Sequence, residues 1–554
     1  SQDRKVALSE YAPGRIVEIR KEKYRVAGLG FPYTRGVVNR AQGFFEKEEE
    51  KHRGWYLHCT TGRDNDTPCD FVSKNIKTKT EDIDNLECPA CGHKETLIQR
   101  EFVIPKSFAP EIAPMGSPNN YTNVCTHDMI AKNPDDERQS NRSRLVSAQL
   151  PTPLNDDELS RELGDSGESD WNQLEVIDGW GGVECYVKPE TILISVHKGD
   201  RDDNGFSICL DCGRCELEGD PNRKLDTPHN RPYAITRLDY SIASRNYDFK
   251  NNTDERDKWN EGAHKQCPGT NVNGPYYLAH WFHSDVFVLR IRQKGLLDER
   301  PHPNHPGLFS AAISLKEAFL SALQNQLHLS RGEVKAGVRR IQHGGIGCVD
   351  IFIYDNVAGG AGLVSRLNDN GLRQRVLEES EHILGGSRCV ESLSGDSEGC
   401  ERACVGCLID FRNKREAGRL DRDLGLQLLG IIKGDNELRP NKNIAEKNLK
   451  FAKAVLQTMD YHDKISVNPI EEDGVPLLEV INNSTDLRGY LEVCSGLSTP
   501  SKIRAMHEDI SSGDIEKLER IGNTVMWPQN GLDSIEAKLE ELHQLLFPPE
   551  PVEL

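Results

Sequence analysis

Cysteine is the residue type here whose number and spacing can do chemistry: there are 16 in 554 residues, and most fall into three groups with metal-ligand spacing. The first group is Cys59, Cys69 and the knuckle Cys88-Pro-Ala-Cys91-Gly. A Cys-x2-Cys followed by glycine lets backbone amides fold around two thiolates, and two more sulfurs close a tetrahedral zinc site with no open position for substrate. His58 competes with Cys59 as a donor. The second group is Cys209-Leu-Asp-Cys212-Gly-Arg-Cys215, answered by His264-Lys-Gln-Cys267. Its expected ligands are Cys209, Cys212, His264 and Cys267, with Cys215 or His229 as replacements for His264. Such a site would clip a long polar excursion that cannot pack by itself. The third group is Cys389, Cys400, Cys404 and Cys407. Four thiolates suit zinc or an iron–sulfur cluster, and zinc is expected because nothing around them suggests electron transfer. Cys125, Cys185, Cys215, Cys348 and Cys494 remain, dispersed, as silent thiols.

A second chemical candidate is the turn Asp355-Asn-Val-Ala-Gly-Gly-Ala-Gly-Leu-Val364. Gly359, Gly360 and Gly362 could expose amides at a helix start and cradle a phosphate, although no Lys-Ser/Thr follows as in a Walker A loop. Close packing of a helix on a strand explains such glycines equally well. The carboxylates Glu333, Asp350 and Asp355 are the candidates for a Mg2+-dependent nuclease. Asp350 and Asp355 are five apart, so on a strand they point to opposite faces.

The elements that must position these groups are legible from periodicity. Residues 171–292 are rich in β patterns, including the runs 191–196 and 285–291, and the cysteine-containing insertion lies between them. Leu315, Phe319, Leu320, Leu323 and Leu327 predict a helix, Val349-Asp-Ile-Phe-Ile-Tyr354 a buried strand, and 363–384 a further helix. Amphipathic helices are predicted over 443–459 and 534–547. Together these predict an α/β (mixed α+β) multidomain protein with zinc-stapled insertions and a helical C-terminal region. The expected units are 1–105, β-rich with a zinc knuckle; 106–300, β-rich with the second site; 301–435, α/β with the third; and 436–554, helical.

With 69 Lys and Arg against 88 Asp and Glu, the formal charge is −19. Uniform coating of DNA by positive charge is thereby excluded, so any nucleic-acid contact must be local. Candidate basic patches are Arg15 to Arg40, then Lys335, Arg339 and Arg340, then Arg412 and Lys414 beside the third cysteine group. The Arg339–Arg340 patch ranks first because it is locally positive and close in sequence to the glycine turn. No apolar stretch is long enough to span a bilayer and no apolar leader opens the chain, so a cytoplasmic location with reduced thiols is expected.

The string Ile353-Tyr-Asp-Asn-Val-Ala-Gly-Gly-Ala-Gly362, then Cys389, Cys400-x3-Cys404-x2-Cys407-Leu, Phe411-Arg-Asn413 and Leu420-Asp-Arg422, resembles the helicase-associated four-cysteine zinc domain of the mitomycin-repair helicase type. Upstream pieces such as Phe102-Val-Ile-Pro and Cys209-x2-Cys212-Gly look like the region before that domain. Because no Walker A or Asp-Glu-x-His motif accompanies it, the chain is similar to the DrmB-type subunits of the DISARM anti-phage system. The resemblance implies zinc held by Cys389, Cys400, Cys404 and Cys407. It further implies a non-catalytic subunit that joins a DrmA-type superfamily 2 helicase, helps it engage DNA, and works in the bacterial cytoplasm against phage. The competing expectation is a metal-dependent nuclease or a nucleotide-binding enzyme acting on DNA.

Overall fold

The computed structural model describes residues 7–8, 11–19, 22–30, 53–61, 72–75, 83–88, 92–105, 107–111, 152–153, 175–176, 183–199, 203–218, 225–232, 266–292, 306–343, 346–389, 400, 402–411, 413, 416–433, 440–472, 474–497, 515–528 and 535–548. Strands β1 (Ile16–Ile19) and β2 (Glu22–Gly30) pair antiparallel, and β6 (Ser107–Pro110) extends them to three strands. Strands β3 (Arg53–Cys59), β4 (Val72–Asn75) and β5 (Leu97–Val103) form one end of an eleven-stranded sheet. The short β7 (Thr152–Pro153) and β8 (Glu175–Val176) lie against β9 (Val183–His197). Hairpin β10 (Phe206–Cys209) and β11 (Cys215–Leu217) joins the same sheet, whereas β12 (His229–Asn230) and β13 (Gln266–Cys267) form a separate two-stranded pair among the described residues.

The spine is β14 (Val272–Arg292), whose 21 residues run beside β10, then parallel to β5, and along β9. Its C-terminal half also pairs with β16 (Ile346–Asp355), the hairpin partner of β15 (Val334–His343). Helices cover one face: α1 (Pro306–Gln326), α2 (Asn370–Leu384) and α3 (Arg422–Lys433). Helix α1 forms because Pro306 suits a first turn and Leu308, Ala311, Leu315, Ala318, Ala322 repeat on one buried stripe. In the same core Phe319 stacks on Phe287 of β14 at 5.8 Å. Val349, Ile351 and Ile353 of β16 face this core, while Phe352 and Tyr354 pack on the opposite side, which is why the strand reads as continuously apolar. The 363–384 prediction splits into a short turn at Val364–Asn368 and α2, whose start is fixed by Asp369 accepting from the amides of Gly371 and Leu372.

The C-terminal region is not simply helical. Helix α4 (Lys442–Leu456) precedes β17 (Ile465–Glu472), β18 (Val475–Asn482) and β19 (Arg488–Cys494). Helix α5 (Ile515–Gly522), β20 (Thr524–Pro528), which is parallel to β19, and α6 (Ile535–Leu546) follow. Helices α4 and α6 cover the sheet through Leu449, Ala452, Leu539 and Leu542. The correction has a simple cause: the helices carry strong 3.6-residue periodicity, whereas the strands are half-exposed and alternate more weakly.

One buried histidine makes stability depend on pH. His197, at the end of β9, accepts from the amide of Gly199 through Nδ1 and meets the edge of Phe206. Burial, and then the Arg15 charge, lowers its pKa from 6.5 to about 3. The unfolded chain therefore binds a proton below pH 6.5 that the fold refuses, so stability present above 6.5 is lost as pH falls toward 3. The expected slope approaches about 1.4 kcal/mol per pH unit. Urea titrations between pH 4 and 7 should show a shallower dependence for His197→Gln than for the unsubstituted chain.

Candidate metal centres

The third cysteine group assembles where α2 ends. Gly386, with φ of 90°, turns the chain so that the amide of Cys389 donates to the Gly386 carbonyl at 3.0 Å. Cys400 comes next, and Cys404 to Cys407 form a knuckle in which the amides of Cys407 and Ile409 both donate to the Cys404 carbonyl. The Cys404 amide donates to Cys407 Sγ at 3.2 Å. Sulfur separations are 3.4 Å for Cys389 and Cys400, and 3.6 Å both for Cys400 and Cys407 and for Cys404 and Cys407. All four Sγ atoms lie within 4.8 Å of one another. A single zinc ion with bonds of about 2.3 Å sets tetrahedral sulfurs about 3.8 Å apart. An iron–sulfur cluster would spread the four thiolates over separate irons, and a disulfide needs sulfurs about 2.05 Å apart. The spacing therefore fits one mononuclear ion.

The electrostatics agree with that fit. Burial, and then the neighbouring Cys389, pushes the Cys400 thiol up, and burial pushes Cys407 up to about 11. Crowded thiols in a half-dry site resist ionisation unless a cation is present to balance them. Arg422 at the start of α3 is a contributor that cysteine spacing did not reveal. Its buried guanidinium donates to the carbonyls of Cys400 at 2.6 Å and Leu384 at 3.0 Å, so it ties the two ligand-bearing segments together. Asn413 closes the knuckle by donating to the Leu408 carbonyl at 2.8 Å. Val405, between two of the cysteines, is 79% exposed.

In the second group the described residues bring together Cys209, Cys212, His229 and Cys267, whose donor atoms also lie within 4.8 Å of one another. Cys209 and Cys267 sulfurs are 3.7 Å apart, and Cys212 Sγ is 3.3 Å from His229 Nε2. His229, one of the alternative donors, stands in this group, and His264 lies outside the described residues. Cys215 is not a member: on β11 it pairs with Ile208 and is buried among Phe206, Leu217 and Leu278. In the first group Cys59 and Cys88 share one small buried cluster with Leu57 and Leu97, whereas Cys69 and Cys91 lie outside the described residues. His58 does not compete with Cys59, because adjacent strand residues face opposite sides and its Nε2 meets Tyr277 Oη at 3.2 Å.

The glycine turn is built around an internal anion. Gly359, Gly360 and Gly362 have φ of 89°, 74° and 72°, and the resulting loop folds over Asp355. The Asp355 carboxylate accepts from the amides of Ala361, Leu363 and Val364 at 2.6, 3.0 and 3.0 Å. Those are the donors a phosphate would need, so the turn fixes its own chain rather than presenting an open cradle. Asp350 is likewise committed: Arg290 holds it with two bonds at 2.8 and 2.9 Å, and Arg339 reaches it at 3.0 Å. With both carboxylates occupied, Asp350 and Asp355 cannot converge on a metal with Glu333.

The same ion pair corrects the first-ranked DNA patch. Arg339 is 1% exposed and faces inward from β15 because its charge neutralises Asp350, so it offers nothing to a phosphate. Lys335 is half-buried on the same strand, while the Arg340 side chain, Arg412 and Lys414 lie outside the described residues. Arg25, from the N-terminal patch, is also buried and paired, with Glu216. Among the described residues no helix is long and apolar enough to cross a membrane.

The chain is 24% identical over 434 residues to Druantia protein DruE of Escherichia coli (strain UMEA 4076-1), covering 76% of this chain. It spans only 19% of that relative's length. The crystal structure of the DUF1998 helicase MrfA bound to DNA aligns with 53% of this chain and 24% of that chain at 12% identity. Its TM-score of 0.23 is too low to bear on the fold. Residues 315–408 match the MrfA Zn-binding domain, a span that holds the C-terminal half of α1, the β15–β16 hairpin, the glycine turn, α2 and the complete third cysteine group. This part of the chain is similar to the zinc-binding domain named for that helicase, and its cysteines fit zinc.

Proposed function

We propose that the chain is a non-catalytic zinc-bearing module that acts with a superfamily 2 DNA helicase in bacterial anti-phage defence, in the manner of a DrmB-type subunit with a DrmA-type helicase. The supporting observation is the buried Cys389, Cys400, Cys404 and Cys407 quartet, whose sulfurs fit one closed tetrahedral ion inside a helicase-named zinc domain. When bound, zinc supplies cross-linking of the chain and no chemistry on a substrate, because all four positions are taken by sulfur. The residues around it act as a frame: Arg422 locks the ligand segments and Asp355 locks the glycine turn. The similarity to Druantia protein DruE supports a role in defence, and a cytoplasmic location belongs to the same reading.

DNA would be met through the complex, since the chain carries −19. We place its own contribution on Lys335, Arg412 and Lys414, and not on Arg339, whose charge is buried against Asp350. A fluorescence-anisotropy titration of duplex DNA at two salt concentrations tests this, using the helicase with and without the chain. The assembled pair should bind more tightly than the helicase alone. The triple variant Lys335→Glu, Arg412→Glu and Lys414→Glu should weaken binding at least tenfold and flatten its salt dependence. Unchanged affinity and slope would remove these residues from the interface, and equal binding with and without the chain would remove the module from DNA engagement.

A further inference from the structure

We propose that Cys209, Cys212, His229 and Cys267 hold a second zinc ion outside the matched domain, and that this ion is the clasp that seats strand β2 on the main sheet. The four donors come from three chain segments: the β10–β11 turn, the 225–232 segment and the 266–272 segment. Tetrahedral zinc with sulfur and imidazole ligands calls for sulfur separations of about 3.8 Å and sulfur–nitrogen separations of about 3.5 Å. The observed 3.7 and 3.3 Å match that pattern. His229 is already oriented: its Nδ1 lies 3.0 Å from the Thr227 carbonyl, so Nδ1–H donates there and the Nε2 lone pair points at the sulfurs.

Short backbone pairings join these segments, β12 with β13 and the Leu210 amide to the Asn271 carbonyl at 2.8 Å, but apolar packing between them is slight. Among the described residues, the buried apolar cluster at their meeting point consists of the three cysteines, with Val272 packed against it. Asp226, Thr227, Pro228 and Asn230 are exposed, so His229 is the inward side chain of its stretch. Segments that meet without an apolar core need a cross-link, and a metal supplies one.

Strand β2 is gripped by the two segments that carry the ligands. The Leu29 amide donates to the carbonyl of Gly213, next to Cys212, at 2.9 Å. Pro232, three residues after His229, lies so close to Gly28 that an added Cβ would sit 2.2 Å from its ring. Arg214 crosses the gap between the segments and donates to the Asn230 carbonyl at 3.1 Å. Glu216, on β11 just after that turn, pairs with both Arg25 of β2 and Arg214. Removing the ion would let the slot open and free β2 while the third group, built from other segments, keeps its metal.

The test uses the full chain, with zinc counted by plasma mass spectrometry and hydrogen exchange followed by peptide. Cys209→Ser with Cys267→Ser should lose one zinc equivalent relative to the unsubstituted chain. Amide exchange over residues 24–30 should rise at least tenfold, with residues 349–354 and 404–409 unchanged. Should the double variant fail to fold, His229→Ala, which alters a half-buried side chain, should give the same result, and His229→Cys should restore both zinc and protection. Full zinc content in His229→Ala, zinc loss with residues 24–30 still protected, or an exchange increase spread evenly over the whole chain would each overturn the proposal.

Discussion

Cys400→Ser is expected to release one zinc equivalent and to unfold the segment from Cys389 to Arg422. Structural zinc contributes on the order of 10 kcal/mol of apparent binding free energy to small sites, which is comparable to the roughly 5–15 kcal/mol that holds a whole domain. The loss here is more than one bond. Cys400 has sulfur contacts to both Cys389 and Cys407, and its carbonyl receives Arg422. Three thiolates with no cation to balance them must reprotonate or separate, and burial already pushes Cys407 up to about 11. Proteolysis should then cut between Cys389 and Cys407, while the C-terminal sheet of β17 to β20, which has its own core, stays resistant. A chelator added to the unsubstituted chain should reproduce the cleavage pattern. Retention of all metal and protection in Cys400→Ser would show that the quartet is not a zinc site.

Asp350→Asn should destabilise the fold by about 3–5 kcal/mol, because it strands two buried cations. Asp350 and Arg290 are both fully buried, and Arg339 is 1% exposed. Burial alone would raise the Asp350 pKa, but the Arg290 and Arg339 guanidiniums outweigh it and hold the carboxyl below the ordinary range. The sign follows: a depressed folded pKa stabilises the fold above the unfolded value near 4, and that stability disappears as pH falls through the folded value. Urea midpoints should therefore drop at neutral pH in Asp350→Asn, and the acid dependence of the remaining stability should be weaker than in the unsubstituted chain. Replacing Arg290, Arg339 and Asp350 together by apolar residues of similar volume should recover much of the loss. An unchanged midpoint in Asp350→Asn would mean that the two arginines find solvent.

How far the sequence announced these features depends on the kind of signal each one leaves. Cys404-x2-Cys407 is a local spacing, and so is the periodicity of Leu315, Phe319 and Leu323; both are readable from one segment and both match the structure. Arg339 looked like a surface charge because its partner Asp350, which Arg290 of β14 also holds, lies on another strand, and pairing across a sheet leaves no local trace. His264 was expected ahead of His229 for the same reason: ranking the two requires knowing which segment folds back beside Cys212, and His229 is the one seen there. The glycine turn was legible as a turn, but its occupant was not, since only the closed loop shows Asp355 filling its own amides. In the last hundred residues the alternation of Ile465, Val467 and their neighbours was present but weaker than that of the flanking helices, so the sheet was missed.

The most direct test of the proposed role is co-elution of the purified chain with a DrmA-type helicase, followed by measurement of DNA-dependent ATP hydrolysis. The expected result is a stable complex that hydrolyses ATP several-fold faster on DNA than the helicase alone, with no hydrolysis or DNA cleavage by the chain by itself and no stimulation by Cys404→Ser. Failure to co-elute, or Mg2+-dependent cleavage of plasmid by the chain alone, would contradict it.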